Sequence, residues 1–176
     1  IDNGQADPKK ICITGFSYGG YMSSYALTYG ANVFTHGMAG GSVIDWTLYD
    51  SHYTERLMGT PKDNPEGYKT SNVLNYADKY KGMLQIVHGI VDENVHLQNS
   101  IQLTSKLQDL KKDFEFMTYS GGRHGWPGNK NLHFQNYALL LGTQPKRLPM
   151  PTLPLPFIVR LVDDAVPTVY PSTPAL

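Results

Sequence analysis

The sequence predicts an α/β fold, a mostly parallel sheet flanked by helices, and three observations carry that prediction. Short apolar runs are near-continuous rather than alternating, as in parallel strands covered on both faces. Each run ends at a glycine or a polar turn. Segments of helical character lie between successive runs, which is the βαβ pattern of a parallel sheet. In chain order, "KKICITGFS" is a short buried strand ending at a sharp turn, and "YGGYMSSYALTYG" continues as a helix closed by Gly30. "FTHGMAGG" is a second strand and "MLQIVHG", Met83 to Gly89, a third. Leu97, Ile101, Leu107 and Leu110 recur near helical period, and "FEFMTY" then follows as a strand of β-favouring residues.

The end of the chain is different in kind. Eight of the twelve prolines fall between Pro145 and Leu176, where they remove backbone donors and block helix continuation. Residues 1–144 are therefore expected to form the α/β domain and residues 145–176 a proline-rich extended tail. No internal repeat is visible.

With 176 residues, 40% hydrophobic and 17% charged, the composition is that of an ordinary globular domain. Fifteen basic residues balance fifteen acidic ones without blocks of like charge, which argues against a nucleic-acid or anionic-membrane partner. The expected partner is a small or peptidic ligand. No apolar run approaches the roughly 20 residues that span a bilayer, and "IDNGQADPKK" has no apolar signal core. Cys12 is the only cysteine, so no intrachain disulfide forms, and its place in "ICIT" reads as a small buried apolar residue. Twelve tyrosines are many for this length, and most lie between Tyr18 and Tyr80.

Gly15, Ser17 and Gly19 in "TGFSYGGYM" fit the G-x-S-x-G nucleophile elbow, in which a serine on a strained strand-to-helix turn stands clear of the sheet. The glycines remove Cβ clashes in that turn, and the helix beginning after Ser17 aims free N–H groups at the same spot. An unassisted hydroxyl is a poor nucleophile, so a carboxylate and then a histidine are expected downstream, in α/β-hydrolase order. Asp92 is the best-placed acid, in the loop beyond the strand of "LQIVHGIVDENVH". Asp45, Asp50, Asp78, Asp109 and Asp113 read as helix-surface or capping residues. His124 in "YSGGRHGW" sits in a glycine-flanked loop that can carry an imidazole over the serine. His88 ends an apolar strand and reads as a buried, hydrogen-bonded structural residue; His96 opens a helix, and His36, His52 and His133 show no convergent partner. The spacings give no metal site.

Together "GFSYGGYM", "YDSHYTERLMG", "NPEGY", "HGIVDENVHLQNS" and "GGRHGW" resemble the prolyl oligopeptidase family of serine peptidases, in its dipeptidyl-peptidase-IV-like branch, over about residues 8–130. The resemblance implies an α/β-hydrolase fold without a cofactor, with Ser17 as nucleophile, Asp92 as triad acid and His124 as general base. It makes the backbone N–H of Tyr18 one oxyanion-hole donor. It also implies a pocket for the residue before the scissile bond, formed by Tyr18, Val43, Trp46, Tyr49, Tyr53, Asn94 and Val95. Aromatic walls suit a proline ring, which is apolar and has no N–H to satisfy. The implied reaction is cleavage after a penultimate proline or alanine through an acyl-enzyme, in a periplasmic or extracellular setting. Glu93 and Glu55 read as carboxylates that order the backbone.

The chain departs from the family pattern in three ways. The resemblance implies an upstream β-propeller whose glutamates bind the substrate's amino end, and these 176 residues are not expected to contain it. Nor are they expected to contain the hydrolase's early strands, with a tyrosine that the resemblance makes the second oxyanion donor; losing one such donor costs about 100- to 1,000-fold in turnover. The missing strands leave an apolar sheet edge, so self-association is expected. Lastly, "NKNLHFQNYALLLGTQ" supplies only a weak closing helix, and the tail beyond it reads as a frame-shifted or foreign end. Two other functions compete with the peptidase: a carboxylesterase on the same elbow, and a catalytically silent fragment that only binds or assembles.

Overall fold

The computed structural model describes residues 8–125 and the backbone of two further strands, 157–161 and 168–170. The closing helix expected over 129–144, His133 and the rest of the tail lie outside the described residues. In chain order the elements are β1 (Ile11–Phe16), α1 (Tyr18–Thr28), β2 (His36–Gly40), α2 (Ser51–Met58), α3 (Pro65–Ser71), β3 (Met83–Gly89), α4 (Gln98–Asp109), β4 (Glu115–Tyr119), β5 (Phe157–Leu161) and β6 (Thr168–Tyr170).

The strands form one sheet in the order β4-β3-β2-β1-β5-β6. All neighbours run parallel except β5 and β6. The sheet is thus a partial α/β-hydrolase sheet, parallel and flanked by helices. Both β5 and β6 come from the proline-rich segment, and β5 pairs with β1.

Successive strand residues point to opposite faces, and the core divides accordingly. Ile13, Ala39, Leu84 and Ile86 pack with Leu27 of α1 and with Leu103 and Leu107 of α4. Cys12, Met38 and Val87, one residue out of step, form a smaller cluster on the other face with Tyr119 against it. Burial pushes the Cys12 thiol up to about 11, so it is a packing residue and not a reactive one. At Gly37 the sheet and α1 approach so closely that a Cβ would overlap the side chain of Leu27.

Between β2 and β3 the chain forms two helices that apolar periodicity does not announce. Only Thr54 of α2 and Tyr68 of α3 are buried, with Tyr53 and Met58 of α2 half-buried against the core. Their starts are nevertheless written in capping residues. Asp50 accepts from Tyr53 N–H at 2.8 Å, and Asn64 accepts from Gly67 N–H at 3.1 Å with Pro65 in the first turn. Asp45 likewise accepts from Thr47 N–H at the short 3₁₀ turn Trp46–Leu48.

Because β1 to β4 are parallel, the loops that follow them all emerge at one edge of the sheet. That edge collects Ser17, residues 41–50, residues 90–97 and residues 120–125, and it is where α/β sheets hold their ligands.

Candidate active site

The turn from β1 to α1 is tightly constrained. Ser17 holds φ 56° and ψ −116°, in the left-handed half of the map that a residue with a Cβ rarely enters. Neighbouring contacts hold it there. Its N–H donates to Gly40 O at 2.8 Å, and its own carbonyl accepts from Tyr21 N–H at 3.0 Å. A Cβ at Gly15 would overlap the backbone of Gly19, so strand and helix can meet this tightly only through glycines. The consequence is a half-buried serine projecting from the sheet edge at the start of α1. The Tyr18 amide is the first of that helix and has no carbonyl one turn earlier to bond.

The loop after β3 delivers Asp92. Its side chain is 1% exposed, and its oxygens divide their work. Oδ1 accepts from the backbone N–H of Asn94 at 3.0 Å and of Val95 at 2.9 Å. Oδ2 faces two imidazoles, with His124 Nδ1 at 2.9 Å and His88 Nε2 at 3.3 Å. Burial alone would raise the carboxyl's pKa, but the hydrogen bonds from His124, His88 and Val95 outweigh it and hold the group well below the usual carboxylate range. Asp92 is therefore an anion in the folded protein.

His124 arrives from the loop after β4. That loop is zipped to the acid loop by Ile90 N–H to Tyr119 O at 2.9 Å and Val91 N–H to Gly122 O at 3.1 Å. Where the two loops touch, a Cβ at Gly89 would overlap the carbonyl of Gly122. The imidazole packs on Phe16, ring centres 4.9 Å apart, and its Nε2 lies 2.8 Å from Ser17 Oγ. A carboxylate only accepts, so Nδ1 carries the proton toward Asp92 and Nε2 accepts from the serine hydroxyl. Glu93 bridges the same loops, accepting from Arg123 Nη1 at 3.2 Å and facing the backbone N–H of His124 at 3.5 Å.

The residues that the resemblance assigned to a pocket fall into two groups. Tyr18, Trp46, Tyr49 and Tyr53 form one aromatic group beside the serine. Trp46 lies 5.9 Å from Tyr18, 5.8 Å from Tyr49 and 6.1 Å from Tyr53 between ring centres, and Tyr49 and Tyr53 meet edge-on at 5.5 Å. Tyr49 OH donates to Asn94 Oδ1 at 2.8 Å, which ties the aromatic group to the acid loop. Val43 and Val95 are fully buried beneath it and belong to the core.

Three contributors escape sequence reasoning. Asn99, fully buried in the first turn of α4, accepts from Ile44 N–H at 2.9 Å and Asp45 N–H at 3.3 Å and so pins the loop that carries Trp46. Ser100 lies 2.7 Å from His88 Nδ1. His88 itself is buried as expected, but its closeness to Asp92 needed the turn between them. Adjacent polar residues in the "QNS" start of a helix under an acid loop are the only signal for the first two. Among the described residues, the other histidines do not join the site: His36 lies 2.9 Å from the Thr35 hydroxyl, and His96 Nδ1 accepts from Gln98 N–H at 3.2 Å. No cluster of metal-binding side chains occurs among the described residues.

A strained serine at a strand-to-helix turn, contacted by a histidine that contacts a buried carboxylate, defines the class as an α/β hydrolase. The chain belongs to the prolyl oligopeptidase family, whose sequence profile it matches over residues 1–142. Human prolyl endopeptidase FAP is 42% identical over 140 residues, covering 78% of this chain and 18% of that protein. Dipeptidyl peptidase 4 of Sus scrofa is 44% identical over 129 residues, covering 72% of this chain and 17% of its own. The crystal structure of Porphyromonas gingivalis dipeptidyl peptidase 4 superposes with a TM-score of 0.70 at 42% identity, over 74% of this chain and 19% of that one. The chain thus spans about a fifth of the length of the relatives it matches.

Proposed function

We propose that this chain carries the catalytic centre of a serine peptidase, with Ser17 as nucleophile, His124 as general base and Asp92 as the group that orients the imidazole. The observation that carries this reading is the continuous contact Ser17 Oγ to His124 Nε2 at 2.8 Å and His124 Nδ1 to Asp92 Oδ2 at 2.9 Å. In the first half-reaction the Ser17 oxygen attacks the scissile carbonyl as its proton passes to His124 Nε2. The imidazolium is stabilised by the anionic Asp92, then gives that proton to the leaving amine as the C–N bond breaks. Water repeats the sequence on the acyl-enzyme and releases the acid. The Tyr18 amide at the start of α1 donates to the oxyanion.

The aromatic group supports a substrate class. Rings at several tilts around Trp46 present an apolar wall with one polar rim, Tyr49 OH and Asn94, which suits a small ring such as proline or a methyl side chain such as alanine before the scissile bond. The substrate is a peptide cut after a penultimate proline or alanine. A second copy of the chain could add to the sheet at an outer strand, β4 or β6, since β5 already covers β1.

A paired assay of the chain tests the reading. Turnover of an Ala-Pro or Gly-Pro anilide, lost in Ser17→Ala, is expected. Turnover of a nitrophenyl ester without any anilide cleavage would move the assignment to a carboxylesterase. Neither activity in folded protein would leave a silent binding fragment.

A further inference from the structure

His88 is the one fully buried histidine among the described residues, and the catalytic sequence above does not use it. Its two ring nitrogens face partners of opposite kind. Nε2 lies 2.8 Å from Val95 O and 3.3 Å from Asp92 Oδ2, both of which only accept. Nε2 must therefore hold a proton. Nδ1 lies 2.7 Å from Ser100 Oγ, a hydroxyl free to turn its hydrogen toward a bare nitrogen. Ser100 is itself fully buried in the first turn of α4. The neutral imidazole, with Ser100 donating to Nδ1 and Nε2–H donating to Val95 O and leaning on Asp92 Oδ2, satisfies every atom of the group.

We propose that His88, fixed in its tautomer by Ser100, is a positioning residue for the triad: it holds Oδ2 of Asp92 on the line to His124. The arrangement is a five-member chain, Ser100 to His88 to Asp92 to His124 to Ser17, running from the inside of α4 to the sheet edge. This rests on the triad reading given above. Asp92 Oδ1 is fixed by two backbone amides, whereas Oδ2 is met only by side chains. Without His88, Oδ2 would keep only the contact with His124, the carboxylate plane would be held by the Oδ1 amides alone, and the acceptor offered to His124 would be less sharply fixed. The Val95 carbonyl, shared by the same Nε2–H, couples that orientation to the loop that carries Asn94. No proton needs to travel along the inner half of the chain.

The test compares His88→Gln, whose amide N–H reaches toward the Nε2 position, with His88→Leu, which fills the space without a donor, and with Ser100→Ala. The reporter is the rate of covalent labelling by a fluorophosphonate, separated into a binding constant and a maximal rate. His88→Leu is expected to lower the maximal rate about tenfold to a hundredfold, the scale of a small misplacement of a catalytic group, with little change in binding. His88→Gln is expected to recover most of the loss, and Ser100→Ala to fall between them. Equal rates in all four proteins, or equal loss in the Gln and Leu variants, would overturn the proposal.

A second readout, histidine ¹⁵N and ¹H NMR of the unsubstituted chain and of the two His88 variants, separates this inference from the triad reading. If the chain does not label at all, the nucleophile assignment fails. The positioning role still stands if His88 is found protonated at Nε2 and the low-field His124 Nδ1 proton survives His88→Gln but not His88→Leu. A His88 protonated at Nδ1 alone ends the proposal whatever the labelling shows, and the same measurement decides if His88→Leu does not fold.

Discussion

The inner and outer halves of the site are built on different principles. On the inner side Asp92 is sealed from solvent, meets two backbone amides and two imidazoles, and leans through His88 on a helix. On the outer side the His124 loop is zipped to the acid loop by backbone hydrogen bonds and carries an exposed ion pair between Glu93 and Arg123, while the aromatic group stands partly open to solvent. Buried hydrogen bonds cost several times more to break than exposed ion pairs. The inner half therefore fixes geometry, and the outer half is free to adapt to a substrate.

The strongest way to break this comparison is Asp92→Asn. It keeps the shape and the acceptor for the two backbone amides but offers the imidazole a neutral amide. Ester or anilide turnover is expected to fall by about 10⁴-fold with the circular dichroism spectrum unchanged. A loss below tenfold would mean that the carboxylate does not orient the base.

The next effect is on stability against pH. Asp92 has a folded-state pKa below its unfolded value, so its contribution is fully present above the ordinary carboxylate range and is lost as pH falls through that range toward the folded value. Denaturant midpoints measured at successive pH values should drop for the unsubstituted chain from roughly pH 5 downward. In Asp92→Asn the slope should be shallower. Parallel slopes would place the acid-sensitive group elsewhere.

Changes to the outer half should be milder. Tyr49→Phe removes the hydroxyl that bonds Asn94 and leaves the ring in place. A net hydrogen bond of about 1 kcal/mol corresponds to roughly a fivefold rise in KM, with kcat little altered. A fall in kcat instead would show that the aromatic group acts on the reacting atoms. Smallest of all is Glu93→Ala, which removes an exposed ion pair; labelling should slow by less than about fivefold, and raising the salt concentration should shrink the difference. A larger loss, persisting in salt, would make the outer half as rigid as the inner one.

The same division governs what could be read from the residues. The runs "KKICITGFS" and "MLQIVHG" are legible as strands because buried parallel strands concentrate apolar and β-branched residues, and the edge strand in "FEFMTY" by its β-favouring residues; observed boundaries fall within a residue or two of those expected. Helices α2 and α3 are not, because they bury one residue each and their information lies in the caps Asp50 and Asn64. Ser17, Asp92 and His124 stand out by motif and by following strands, and the fold brings them into contact. The roles of Ser100 and Asn99 are invisible beforehand, since a polar residue in a first helical turn looks like solvated surface until the packing of α4 under the acid loop buries it. The strands β5 and β6 could not be anticipated either: eight prolines argue for extended backbone without saying what it pairs with.

Mass-spectrometric mapping of the folded chain after fluorophosphonate treatment tests the central claim most directly. The account predicts a single adduct on Ser17, absent in Ser17→Ala and strongly slowed when His124 or Asp92 is replaced. Folded, unmodified protein, or an adduct on some other residue that forms equally well without His124, would contradict it.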